Sequence, residues 1–339
     1  MRADSADIMS QPNKTLRTKK ILAATIVPSV ILLLLALAAE AATRIAYYCC
    51  SRRFIHPYLG ETQKPNHRRT DYTPEGVPFM FATNNYGFRG EHVPERKPSG
   101  SQYIFAIGGS TTACNEYPHE KTWVGALEDP LERHLADDDV AVYNAGMGSG
   151  TSYRAATLFL NVISRLDPDL VIVYEGVNDK GPFYESSARY FRDIGHGEDF
   201  VHRPSYFLYE LALHIRRPFV TRMARSLYPP RLSTKGFEYH EKNYRDLAYL
   251  AKGYQIPIMF MTQPTMPEAE NNDGVNQSTR ALGLELNVPV FDLAALMPRD
   301  YRHFLPDGVH YTERGNRFIA DQLAEWLITG GNAMGLIAK

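Results

Sequence analysis

Cysteine is scarce in this sequence. Three residues in 339, with no Cys-x-x-Cys pair, exclude a disulfide framework. Charge of one sign is missing too. The formal net charge is −1, so bulk electrostatics point to neither nucleic acid nor an acidic polymer, and no nucleic-acid partner is expected. There is no His-Glu-x-x-His, and the eleven histidines are scattered, so neither a metal nor another cofactor is expected. A Gly-Lys-Ser/Thr phosphate loop is absent, and Thr112 occupies the position where a Gly-x-Ser-x-Gly elbow needs glycine. No internal repeat is visible. Glycine and proline, 24 and 22 residues, are near average, which excludes collagen-like or low-complexity chains. What remains, 44% hydrophobic and 22% charged, is the makeup of a folded protein with a sizeable core, arranged as one large domain or two smaller ones.

One local feature stands against these averages. Ile21 to Ala39 carries no charge, and as a helix it rises about 28 Å, close to the hydrocarbon thickness of a bilayer. Pro28 is better tolerated in lipid than in water. Residues 21–43 therefore read as a transmembrane helix in contact with membrane lipid. The alternative is a cleavable signal peptide with Ala36-Leu37-Ala38 at the cut, which would release a secreted protein, but the run exceeds the usual signal core. Arg2, Lys14, Arg17, Lys19 and Lys20 precede it, against Arg44, Arg52 and Arg53 after it. That asymmetry predicts a cytoplasmic basic tail over 1–20 and a periplasmic or extracellular remainder. Cys49 and Cys50, just past the helix, give at most a weak acylation signal.

Residues 44–100, rich in Pro, Arg, His, Asn and Gly, read as a juxtamembrane collar of turns and short strands. From 101 the pattern alternates. Apolar strands are expected at 103–107, 140–143, 170–174, 257–262 and 288–291, with helices over about 122–136, 151–165 and 313–328. Short apolar runs between helices predict an α/β fold, a three-layer α/β/α sandwich around a parallel central sheet. Sites in such folds gather at the carboxyl ends of the strands.

Four groups of residues fall there. They are Gly108-Gly109-Ser110-Thr111-Thr112, then Asn144 through Gly150, then Glu175-Gly176-Val177-Asn178-Asp179, and finally Asp307-Gly308-Val309-His310. Each alone is a common turn or helix cap. Together they complement one another. Ser110 is a candidate nucleophile and His310 the base that takes its proton. Asp307, three residues earlier, is placed to orient the imidazole. The Ser110 N–H, an N–H from Gly148 or Ser149, and the Asn178 amide are candidate donors to an oxyanion.

The order and content of these blocks resemble the SGNH (GDSL-like) hydrolase superfamily, in its membrane-anchored bacterial type, over roughly 101–330. The resemblance implies an SGNH/flavodoxin-like sheet, the triad Ser110, Asp307 and His310, and Asn178 in the oxyanion hole. Two departures stand out. Gly109 replaces the usual Asp of Gly-Asp-Ser-Leu, and Ser149 falls where the second block's glycine is usual, flanked by Gly148 and Gly150.

Between the third and last blocks lies an insertion of about 180–235, read as a helical subdomain, a lid or a basic lipid-facing surface; 331–339 read as a tail. Phe183, Tyr184 and Gln263 are expected to line a substrate pocket, and Cys114 to be a small buried hydrophobe. The expected function is a serine esterase working through an acyl-enzyme, its substrate an acylated carbohydrate or other ester; by resemblance to anchored bacterial members, O-acetyl groups of surface polysaccharide are one substrate class. An O-acyltransferase, a phosphate- or thioester-directed variant on the same residues, and a non-enzymatic glycan-binding scaffold are the alternatives. The sequence leaves protein partners open.

Overall fold

A computed structural model describes residues 14–50, 53–56, 60–135, 139–179, 234–269 and 272–331. The chain divides into two units.

Of the first unit, the described part is helix α1, Lys14–Cys50. It outruns the apolar segment at both ends, since the flanking Lys, Arg and Ala are good helix formers. The window Ala24–Ile45 has a mean hydropathy of 2.2, and Leu32, Leu33, Leu34 and Leu35 are all more than half exposed. Its hydroxyls are absorbed within the helix: Ser29 Oγ donates to the Thr25 carbonyl and Thr43 Oγ1 to that of Ala39, each at 2.8 Å. Twenty-two such residues rise about 33 Å, enough to cross a bilayer.

The second unit is built on a five-stranded sheet. Its strands are β5 (Ser101–Gly108), β6 (Asp139–Asn144), β7 (Leu170–Tyr174), β8 (Ile258–Met261) and β9 (Val290–Phe291), ordered β6-β5-β7-β8-β9 with every pair parallel. Alternate side chains enter opposite cores. Ile104, Ala106, Leu170 and Ile172 join Trp123, Leu131, Ile319 and Leu323 on one face. Phe105, Ile107, Val171 and Val173 join Phe159, Tyr244, Leu247 and Leu282 on the other. The first face is covered by α3 (Glu128–Leu135) and α8 (Glu313–Trp326). The second is covered by α4 (Ser152–Asn161), α5 (Thr234–Tyr254) and α6 (Asp273–Leu286). The fold is thus a three-layer α/β/α sandwich. Two four-residue helices, α2 (Ser110–Ala113) and α7 (Leu293–Leu296), follow β5 and β9.

Local chemistry moves some expected boundaries. A helix expected from Thr122 begins instead at Glu128, after two short 3-10 turns. Pro130 lacks an N–H and so fits only the first helical turn, which fixes the start. Thr122 Oγ1 meanwhile accepts the Gly125 N–H, holding a turn there. The long α5 has a signal the strand-centred reading passed over: His240, Tyr244, Leu247 and Ala251 form a buried stripe at helical spacing.

Two antiparallel hairpins precede the sheet: β1 (Arg53–His56) with β2 (Gly60–Gln63), and β3 (Arg68–Tyr72) with β4 (Pro78–Ala82). The turn region after β4 docks directly on the sheet. Arg89 and Asn144 exchange backbone N–H···O bonds at 2.9 Å, extending the edge at β6. The Asn84 carboxamide closes that turn by accepting from Tyr86 and Phe88 and donating to the Glu91 carbonyl.

Candidate active site

Ser110 opens α2 directly beyond β5. The turn is tight because the Gly109 carbonyl accepts from both Thr112 and Ala113. Behind it, the Asn144 amide donates to the Thr112 carbonyl at 2.7 Å, and its oxygen accepts the Gly146 N–H at 3.0 Å. Gly146 sits so close that a Cβ there would lie 2.4 Å from the Ala113 nitrogen.

Asp307 and His310 come from the loop before α8. Gly308, at φ +70°, occupies left-handed space that glycine takes at no cost. That turn lets Asp307 Oδ1 accept the N–H groups of Val309 and His310, each at 2.9 Å. The Leu305 N–H donates to the His310 carbonyl at 2.8 Å, and the Tyr311 phenol hydrogen-bonds the Tyr174 phenol from the end of β7. The result joins three side chains. Asp307 Oδ2 meets His310 Nδ1 at 2.6 Å, and His310 Nε2 meets Ser110 Oγ at 2.8 Å. With Nδ1–H donating to Asp307, Nε2 is the acceptor for the Ser110 hydroxyl. Partial burial pushes the Asp307 carboxyl upward, but the two N–H groups and the imidazole outweigh it and hold it below the usual range.

Asn178 lies in the turn after β7. It is 8% exposed, and its Nδ2 donates to the Gly150 carbonyl at 2.7 Å. Gly148 and Ser149 lie exposed at the tip of the β6–α4 loop, with Ser149 at φ 59°. Among the described residues no hydrogen bond joins either to Ser110, so geometry alone does not choose between them. Gln263 departs from its expected place at a pocket wall. It is 1% exposed, with Nε2 donating to Thr111 Oγ1 at 2.9 Å and Oε1 accepting the Val177 N–H at 2.8 Å. It is a strut between the Ser110 helix and the Asn178 turn. Phe183, Tyr184 and the insertion of 180–235 lie outside the described residues, apart from 234–235 at the start of α5.

Further groups support the site. Arg89 is 2% exposed and donates to the carbonyls of Ala113, Cys114 and Tyr117, holding the far end of α2. Burial drags its guanidinium down to about 10. Cys114 is buried, its thiol lying 3.1 Å from the Thr111 carbonyl and 3.2 Å from Asn316 Oδ1; burial raises its pKa, opposite to an activated thiolate. A second Asp–His–hydroxyl chain runs Asp179–His240–Thr279, at 2.7 and 3.1 Å. All three members are at most 1% exposed, so it knits the turn after β7 to α5 and α6 and is sealed from any substrate. Among the described residues, no group of three or more His, Cys, Asp or Glu could hold a metal ion.

A model of the GDSL-like Lipase/Acylhydrolase family matches residues 106–318. An arylesterase of Vibrio mimicus is 30% identical over 79 residues, covering 23% of this chain and 38% of that protein, so the chain spans well under half of that curated relative. Among solved structures, a lipase/acylhydrolase from Enterococcus faecalis is similar with TM-score 0.43 and 17% identity, covering 67% of this chain and 95% of the other. The psychrotrophic esterase EstA from Pseudoalteromonas sp. gives TM-score 0.46 and 13% identity, with 68% and 99% covered.

Proposed function

The chain belongs to the GDSL-like Lipase/Acylhydrolase family, and from that premise we propose that it is a serine esterase with Ser110 as nucleophile, His310 as general base and Asp307 as its orienting carboxylate. The observation that carries this reading is the continuous chain from Asp307 through His310 to Ser110 Oγ, at 2.6 and 2.8 Å. In the first step Ser110 Oγ attacks the ester carbonyl carbon while its proton passes to His310 Nε2. The carbonyl π electrons move onto oxygen, where the Ser110 N–H, the Asn178 amide and an N–H of the Gly148–Ser149 loop stabilise the charge. Collapse expels the alcohol, which takes the proton from His310 and leaves an acyl-enzyme. Water, deprotonated by the same imidazole, repeats the sequence and frees the acid. Asp307 stays ionised throughout and stabilises the imidazolium.

The acyl donor in this proposal is a short acyl ester, an O-acetyl group of surface polysaccharide being the substrate class. The apolar span of α1, with basic residues concentrated on its N-terminal side, supports an anchored chain whose second unit works outside the cytoplasm. The test is fluorophosphonate labelling of the full chain in detergent beside Ser110→Ala. Labelling of the parent alone supports the reading. A folded, unlabelled parent refutes it.

A further inference from the structure

Glu175, the first residue after β7, is 3% exposed and takes no part in the proton relay. Its carboxyl lies against two glycines. A Cβ on Gly150 would sit 2.8 Å from Glu175 Oε1. A Cβ on Gly109 would sit 3.1 Å from Oε2, 3.4 Å from Oε1 and 2.8 Å from the Asn178 amide nitrogen. Gly109 has φ −83°, which any residue adopts, so it is space and not torsion that demands glycine before the nucleophile. The carboxyl thus fills the place that a side chain on residue 109 would take. It borders the Ser110 turn, the loop ending at Gly150 and the Asn178 amide, the three sources of the proposed oxyanion donors.

We infer that Glu175 is a positioning residue whose carboxyl sets the spacing of the oxyanion donors and stands in for a side chain at position 109. The inference rests on the esterase reading. Groups facing the carboxyl from neighbouring elements are Asp179 in the same turn, Arg154 on α4 and Tyr244 on α5, whose phenol donates to the Glu175 carbonyl. Burial, reinforced by Asp179, raises the carboxyl well above the usual range against the Gly176 N–H and Arg154.

The test compares parent, Ser110→Ala, Glu175→Gln and Glu175→Ala. All are full chains in detergent, read by fluorophosphonate labelling, 4-nitrophenyl acetate kinetics and thermal melting. Glu175→Gln keeps the shape without a titrating proton and retains kcat within about threefold. Glu175→Ala loses kcat by roughly 100-fold at nearly constant KM, the scale of one misplaced oxyanion donor. A kcat loss at constant KM in the Ala variant that the isosteric Gln avoids is an outcome that a merely structural loss would not give. If Glu175→Ala does not fold, Glu175→Asp replaces it and loses kcat about tenfold by withdrawing the carboxyl one methylene. Parent-like kcat in Ala or Asp, or Gln as impaired as Ala, overturns the inference while a labelled parent keeps the esterase reading. An unlabelled parent overturns both.

Discussion

Replacing Arg89 by methionine tests how the nucleophile turn is supported. The guanidinium lies 4.9 Å above the Phe81 ring and donates to the carbonyls of Ala113 and Cys114 at 2.8 Å and of Tyr117 at 2.5 Å. Met keeps the apolar stem and removes every donor. The Ala113 carbonyl keeps a long contact, 3.5 Å, from the Asn144 amide, and the Cys114 carbonyl keeps the Tyr117 N–H at 3.3 Å, so of the three only the Tyr117 carbonyl is stripped outright. Each buried acceptor without a partner costs ~1–3 kcal/mol. Relief from burying a cation offsets part of this, a relief that is real because burial already lowers the Arg89 pKa to about 10. The net expectation is a loss of about 1–2 kcal/mol. At ~2–4 °C per kcal/mol for a domain of this size, Tm falls by roughly 2–8 °C. Circular-dichroism melts of the full chain in detergent read this directly. Arg89→Lys falls between, since one ammonium cannot span three diverging carbonyls. A Tm within 2 °C of the parent for the Met variant would show those carbonyls solvated by other means, and the support argument would fail.

Two further outcomes follow from the same geometry. Asp307→Asn should lower kcat on 4-nitrophenyl acetate by about 10²–10³-fold, less than the ~10⁴ of a buried triad, because the Asp307 side chain is 51% exposed and solvent shares its task; a loss under threefold would remove Asp307 from the relay. Glu128 is held up at about 7 mainly by burial, the Val142 N–H opposing this and Glu132, Glu91 and Asp129 adding to it. The unfolded carboxyl titrates near ~4.3, so folding takes up a proton and stability falls as pH rises from about 4 to 7. Glu128→Gln should melt like the parent at pH 4 and be more stable at pH 8 by roughly 1 kcal/mol after allowance for solvent screening; identical melting differences at both pH values would contradict this.

The sheet was readable because its strands are centred on short apolar runs, such as residues 103–107 in β5 and Leu170–Tyr174 in β7, and both of these strands are buried along their whole length. The site blocks were readable because parallel topology sends strand ends to one edge. What was not readable depends on tertiary partners. Arg89 has the composition of a surface residue, and only the convergence of three carbonyls explains its burial. Gln263 lies just beyond β8, as a pocket residue would, but Thr111 and Val177 consume both ends of its amide. Gly109 looked like a departure from a motif until the Glu175 carboxyl was found in the space beside it.

The contact between Ser110 and His310 joins residues 200 positions apart. The first block leaves the ribosome early; the last arrives only when nearly the whole sandwich has been made. Asn316 on α8 then accepts the Trp123 N–H at 3.1 Å, fastening the late helix to an early loop. On the proposed reading, a chain interrupted between residues 110 and 310 would carry the nucleophile without its base. On the proposed reading, reactivity at Ser110 would arise only once residue 310 has been made and folded into place.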